Sequence, residues 1–238
     1  MRKNVQLFVS ALLDIRNEWT WYLLLMTVSP LSILLFLRLV VGDGIDFEAY
    51  VVGSVMMTFG TGIFLGLGQN FAYYKATSAL DYYLALPLSK GMIIASLVFR
   101  NIVLSIPSTA VLILVGLSLY QVELFIGFPF LVTLVLTSFS LAGMGTMIGV
   151  CSRNMQVASI LTQVLAPVFT YLAPVFLPQS EMPGILGAIS YIFPTTYAAN
   201  ALRGALLHDQ FTVDTPVLIV IAVVSMAAVS KFVDWSKG

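Results

Sequence analysis

This sequence reads as an all-α integral membrane protein. It is expected to have six transmembrane helices, an N-terminal amphipathic interfacial helix, and an outer re-entrant helical hairpin between the fifth and sixth spans. Three observations carry that reading. Of 238 residues, 59% are hydrophobic and 9% charged, where a soluble domain carries roughly 25% charged residues. Mean hydropathy is +0.99. Uncharged stretches recur along the chain, several at or above the ~20 apolar residues a helix needs to cross a bilayer. So little polar surface excludes a soluble enzyme or a soluble nucleic-acid binder. The 11 basic and 11 acidic residues cancel, which offers nothing to a nucleic-acid partner. A single cysteine, Cys151, rules out an internal disulfide framework, and a single histidine, His208, argues against a multi-histidine metal site. The sequence points to no catalytic residue and no metal ligand.

The first 18 residues place Val5, Phe8, Val9, Leu12 and Ile15 at helical spacing, continuing to Trp19. Asn4, Asp14, Asn17 and Glu18 fall mostly on the other side, as in a helix lying in the inner interface. Arg2 and Lys3 resemble the start of a signal peptide, but Asp14, Arg16 and Glu18 interrupt any apolar core and no small-residue cleavage site follows. A plain membrane anchor is the alternative reading of this stretch.

Charges bound the spans at residues 19–37, 49–74, 101–122, 124–152, 154–180 and 216–230. The last is short and relies on local thinning or on snorkelling flanks. Residues 182–202 are also uncharged, but Pro183, Gly184, Gly187 and Pro194 break them. A lipid-exposed span cannot leave so many backbone groups unsatisfied, so this stretch predicts a hairpin that enters the membrane and returns. Hydropathy also permits a seventh span there. Gly62 and Gly66, and Gly145 and Gly149, set small residues on one helix face, a pattern of close helix packing more than of a dimer seam.

Lysine and arginine orient the chain. With six spans and the N-terminus inside, Arg2, Lys3, Arg16, Lys75, Lys90, Arg100, Arg153, Lys231 and Lys237 fall inside, and only Arg38 and Arg203 outside. The expected placement is a plasma-membrane protein with both termini cytoplasmic.

No GxxxxGK[ST] phosphate loop and no HExxH motif occurs. His208 beside Asp209 reads as a solvated loop pair. Charge inside the spans is almost missing, with Arg100 the one deep candidate near the inner end of the third span. This disfavours a proton-driven carrier, leaves backbone-coordinated sodium open, and favours an amphipathic or hydrophobic cargo over a highly charged one.

The longest inner loop, residues 73–90, carries Tyr73, Tyr74, Lys75, Asp81, Tyr82 and Tyr83, and Pro87 terminates its helical stretch. It suits either a segment lying flat at the interface or a helix docked into a partner's groove.

Two segments resemble the permease subunit of type-2 class ABC exporters. Leu84, Leu86, Pro87, Leu88, Ser89 and Lys90 match the end of that family's coupling loop. More specifically, Pro167 to Pro178, Met182-Pro183, Pro194-Thr195-Thr196-Tyr197 and Ala201-Leu202-Arg203 resemble the signature around its last two helices. The family's acidic run and Gly-Thr are replaced here by Lys75-Ala76-Thr77 and Ser78-Ala79, with Asp81 retained. That departure implies a different charge pairing with the partner.

The resemblance implies a single permease domain, residues 1–238, with an interfacial helix at 1–18, a coupling loop at 73–90 and a re-entrant hairpin at 178–207. It implies a dimer with a second copy or a paralogous permease in the lipid bilayer. Separate ABC ATPase subunits would hold ATP and Mg, and this chain would hold no cofactor. Contact with the ATPase falls to Tyr73, Tyr74, Lys75, Asp81, Tyr83, Leu84, Leu86 and Pro87. The hairpin falls to Pro178, Pro183, Pro194, Thr195, Tyr197 and Arg203. The substrate pathway falls to the first, second and fifth spans, with Thr58, Thr61, Gln69, Thr162, Gln163 and Thr170 as its polar candidates. A non-transporting integral-membrane scaffold or assembly factor is the alternative. A membrane-embedded enzyme is disfavoured because no catalytic types converge at one depth.

Overall fold

The computed structural model describes residues 19–41, 47–79, 90–176 and 182–232. The expected interfacial helix at 1–18, the loop residues Asp81, Tyr83, Leu84, Leu86 and Pro87, and Pro178 lie outside the described residues. The described chain folds into α1 (Trp19–Val41), α2 (Phe47–Ala76), α3 (Lys90–Leu119), α4 (Phe128–Cys151), α5 (Met155–Tyr171), α6 (Gly184–Ser190), α7 (Pro194–His208) and α8 (Asp214–Phe232). Among the described residues, five helices, α1 to α4 and α8, are long and apolar enough to cross a membrane.

Local chemistry sets the boundaries. Gly127 in extended conformation and Pro129 in the first turn open α4. Asn154 caps α5, its side chain accepting the Val157 amide at 2.9 Å. Beyond the end of α2, Ser78 takes a left-handed conformation at φ 55°, and the Thr77 hydroxyl and amide both donate to the Tyr73 carbonyl at 2.9 Å. Asp209, at φ 50°, ends α7 in the left-handed region that an aspartate tolerates. The His208–Asp209 pair therefore closes a helix.

Charge-bounded reading misplaces one helix. α3 begins at Lys90 and carries Arg100 inside it, 7% exposed, with Nη1 3.5 Å from the Tyr74 hydroxyl of α2. A helix that packs against a phenol can continue through an arginine. Conversely, α5 stops after 17 residues, about 26 Å of helix, and turns at Leu172–Phe176.

Helix α2 is the hub. It packs on α1, α3, α4, α5 and α7, while α4 packs on α2, α7 and α8. Of their most apolar stretches, 76% is buried in α2 but only 24% in α1 and 22% in α8. The outer helices turn Leu24, Phe36, Leu39, Val220 and Val223 outward, as a lipid-facing surface requires. Lipid tails supply no hydrophobic drive between helices, so close packing must hold them together. The glycines provide it. A Cβ on Gly145 would lie 2.5 Å from the Phe64 carbonyl oxygen of α2, and one on Gly149 would strike the Gly68 carbonyl. Gly62 faces Met26 of α1, Gly66 faces Asn101 of α3, and Gly68 faces the Thr162 methyl of α5. Both glycine pairs thus serve packing within the chain.

Gly145→Ala must push α4 from α2, because the obstacle is backbone. We expect a lowered thermal midpoint in detergent, equivalent to about 1–3 kcal/mol. Gly91→Ala, whose Cβ meets nothing within 4 Å, should leave the midpoint in place. Equal midpoints for wild type and Gly145→Ala would contradict the seam.

Candidate functional site

Between α1, α2 and α5 lies a cleft of about 500 Å³. Tyr22, Met26, Ser29 and Pro30 of α1 form one wall. Met57, Gly62, Leu65, Gly66, Gln69 and Asn70 of α2 form the floor, and Gln163, Ala166, Pro167, Thr170 and Tyr171 of α5 form the other wall. Among the described residues, no lining residue is charged.

Register follows from the contacts. Met26 lies against Gly62, Thr162 against Gly68, and the Phe64 and Phe169 rings stand edge-on at 5.1 Å. α5 therefore runs antiparallel to α2, and so does α1, because α1 runs parallel with α3 (Ser108 on Leu23, Tyr120 on Leu34) while α3 runs antiparallel to α2 (Asn101 on Gly66, Gly116 on Val51). Gln163 shares a level with Gln69 and Asn70, so three amides gather at one end of the cleft. Thr170 and Met57 lie towards the other end, with thioethers, glycines and prolines between. Gln163 Nε2 donates to the Ser159 hydroxyl at 2.8 Å, which orients its amide.

Of the six pathway residues expected from the sequence, Gln69, Gln163 and Thr170 line this cleft. Thr58 does not: its buried hydroxyl donates to the Ser54 carbonyl at 3.0 Å and the Met26 carbonyl at 3.4 Å. The second bond has a cause. Pro30 has no N–H, so the Met26 carbonyl four residues earlier loses its helical donor, and Thr58 replaces it. Thr162 is buried, its hydroxyl donating to Ala158 and Ser159 carbonyls at 2.9 and 3.1 Å. The side chain of Thr61 lies outside the described residues. Sequence reasoning missed Tyr22, Ser29, Asn70 and Tyr171; the Gln69-Asn70 amide pair within an apolar helix was the available signal.

Beyond the cleft, α6 and α7 form a helical hairpin anchored to the end of α5. The Thr195 hydroxyl donates to the Phe169 carbonyl at 2.7 Å. Arg203 Nη2 donates to the carbonyls of Pro174 and Val175 at 3.2 and 3.4 Å. The Phe169 carbonyl is one of the orphan acceptors a helix terminus leaves behind, and the Pro174 and Val175 carbonyls belong to the turn beyond it. Within the hairpin, the Thr196 hydroxyl donates to the Ser190 carbonyl, and the Tyr197 hydroxyl to the Tyr191 carbonyl at 3.1 Å. Phe193 packs on Phe169 with ring centroids 5.6 Å apart. Pro183 precedes α6 and Pro194 opens α7.

At the opposite end of α2, Lys75 Nζ donates to the Val150 and Ser152 carbonyls at 3.2 and 3.4 Å. A cation is favoured at a helix C-terminus, where the carbonyls and the dipole are both negative. Lys75 thereby ties the end of α2 to the α4–α5 turn. Tyr74 packs near Phe71 and Tyr73, and Tyr73 is half exposed. Among the described residues, no group of three His, Cys, Asp or Glu side chains converges to hold a metal ion.

A family model described as "ABC-2 type transporter" matches residues 5–207. No curated protein matches the chain.

Removing the hairpin's anchor should loosen it. Thr195→Val leaves the Phe169 carbonyl unpaired, and we expect a loss of about 1–3 kcal/mol. Faster amide hydrogen exchange over residues 169–176 should accompany it, with α8 unaffected. Unchanged exchange in that stretch would show that the hairpin is held by other contacts.

Proposed function

The chain belongs to the ABC-2 type transporter family, and from that premise we propose that it works as the membrane-spanning subunit of an ATP-driven exporter. Membership makes it the membrane component of an ABC transporter and a multi-pass membrane protein. The observation that carries the proposal is the family match over residues 5–207. The cleft supports it, because α1, α2 and α5 are the spans to which the resemblance assigns the substrate path.

In this reading the protein sits in the plasma membrane with both termini cytoplasmic and crosses it six times. The 17 residues of α5 serve as the fifth crossing, and the α6–α7 hairpin dips into the outer leaflet and returns. Ile185 and Ile192, 79% and 76% exposed, support a lipid environment for that hairpin. Two permease chains, either identical or paralogous, enclose the pathway, and two ATPase subunits bind below with ATP and Mg.

Residues 73–90 act as the coupling segment, with Leu84 and Leu86 as apolar anchors and Tyr73, Tyr74, Lys75, Asp81, Tyr83 and Pro87 around them. Lys75 has a second task in this reading, since its bonds to Val150 and Ser152 join the segment's base to α4. Gln69, Gln163 and Thr170 face the transported molecule. Thr58 and Thr162 repair and pack the helices that form its wall. ATP binding shifts the equilibrium between inward and outward forms only by its differential affinity for them, so the segment must be fixed firmly to α2.

Gentle detergent purification of the tagged chain from its native cells, followed by mass spectrometry, tests the assignment. A near-stoichiometric ABC ATPase is the expected companion. Leu84→Asp and Leu86→Asp should each abolish that association while membrane insertion persists. A chain that purifies without an ATPase, under conditions that preserve known ABC complexes, would overturn the exporter reading. Topology has its own measurement: with Cys151 replaced, Ser236→Cys should resist labelling by an impermeant thiol reagent applied outside intact cells. Labelling there would place the C-terminus outside.

A further inference from the structure

The cleft between α1, α2 and α5 specifies more than a path. We infer that it receives an uncharged amphiphile whose hydrogen-bonding head meets the amides of Gln69, Asn70 and Gln163 and whose apolar body lies along Met26, Met57 and Leu65. This rests on the exporter reading for its biological direction, but the binding chemistry follows from the cleft itself.

Size comes first. A volume of about 500 Å³ falls inside the ~300–1,000 Å³ range of small-molecule sites. Charge comes second. None of the described lining residues is ionic, so a formal charge on the ligand would lose its water without gaining a counter-ion among them, which is expensive at membrane depth. Polar distribution comes third. Each amide offers both donor and acceptor capacity, and antiparallel register brings all three to one level. Hydroxyl and amide heads satisfy such a set, whereas an ammonium or a sulfate would leave half of it unmatched.

Pro167 lines the cleft and lacks the N–H that would close on the Gln163 carbonyl one turn earlier, so the α5 wall is a proline-interrupted helix at this level. Away from the amides, Met26 and Met57 supply flexible, polarisable surface that accommodates varied apolar shapes.

The test uses the full chain in lipid nanodiscs, together with whatever subunits co-purify. Three photoreactive probes share one decyl chain bearing a diazirine and differ in the head: glucoside, trimethylammonium or sulfate. The glucoside should label peptides containing Met26, Met57 or Leu65 in a saturable manner. The two charged probes should need concentrations about tenfold higher or more. Gln69→Leu and Gln163→Leu should each weaken glucoside labelling by several-fold to about tenfold. Gln163→Glu should move the preference towards the trimethylammonium probe, a gain that misfolding does not produce.

Equal labelling of the cleft by charged and neutral probes would overturn the inference. So would unsaturable labelling spread over the exposed faces of α1 and α8 and indifferent to the glutamine variants. Because labelling is read without nucleotide, it stands apart from the exporter assignment. A co-purifying ATPase with no saturable labelling removes this inference alone, and saturable labelling without any ATPase removes the exporter reading alone.

Discussion

Backbone in hydrocarbon must find its hydrogen bonds inside the protein, and the arrangement of this chain depends on that rule wherever a helix is broken or ends. Pro30 interrupts α1, and the buried Thr58 hydroxyl of α2 reaches the Met26 carbonyl it exposes. Helix α5 ends early, and Thr195 and Arg203 of α7 bond carbonyls of its last turn and of the chain beyond. Helix α4 ends at Cys151, and Lys75 from α2 covers the Val150 and Ser152 carbonyls. Each repair crosses from one helix to another. The defects are therefore also the joints that fix α1 on α2, α7 on α5, and α2 on α4.

The second determinant is the thinness of α2. Glycines along it and along the facing side of α4 let backbones approach until a Cβ would meet main-chain oxygen. One helix can then touch α1, α3, α4, α5 and α7. Gly62 and Gly66, which belong to the cleft floor, are themselves packed closely against Met26 of α1 and Asn101 of α3. Close packing on the α4 side rests on other glycines, Gly68, Gly145 and Gly149.

How much of this was legible beforehand follows from which signals are one-dimensional. Composition and uncharged runs suffice for class and for α1 and α2, where expected spans at 19–37 and 49–74 meet helices Trp19–Val41 and Phe47–Ala76. Arg100 escaped that logic, because whether a charge ends a span depends on its neighbours across the bundle, and Tyr74 lies on another helix. Thr58 and Gln163 looked alike as polar residues in apolar helices. Only the register between helices separates a hydroxyl that repairs a proline gap from an amide that lines a cleft. The hairpin's prolines and threonines announced an irregular segment, yet the acceptors they serve lie on α5 and in the turn after it, more than 25 residues earlier. Pairings of that separation are absent from any local pattern.

Under the exporter reading, α2 must carry force as well as form a wall. One end holds Lys75 on the α4–α5 turn, the turns just before it supply Gln69 and Asn70 to the cleft, and Gly53 in the other half packs against Val175 and Phe176 near the hairpin. The helix is 30 residues long and without proline, unlike α1, α3 and α5, which carry Pro30, Pro107 and Pro167. Prolines weaken a helix where they remove its internal bonds. A displacement applied at Lys75 is therefore passed along an unbroken rod, while the two proline-bearing walls, α1 and α5, are the elements able to bend around it. Changing the width of the cleft then requires no rearrangement of α2. It falls to α1 and α5, which carry Pro30 and Pro167 among the residues that line the site.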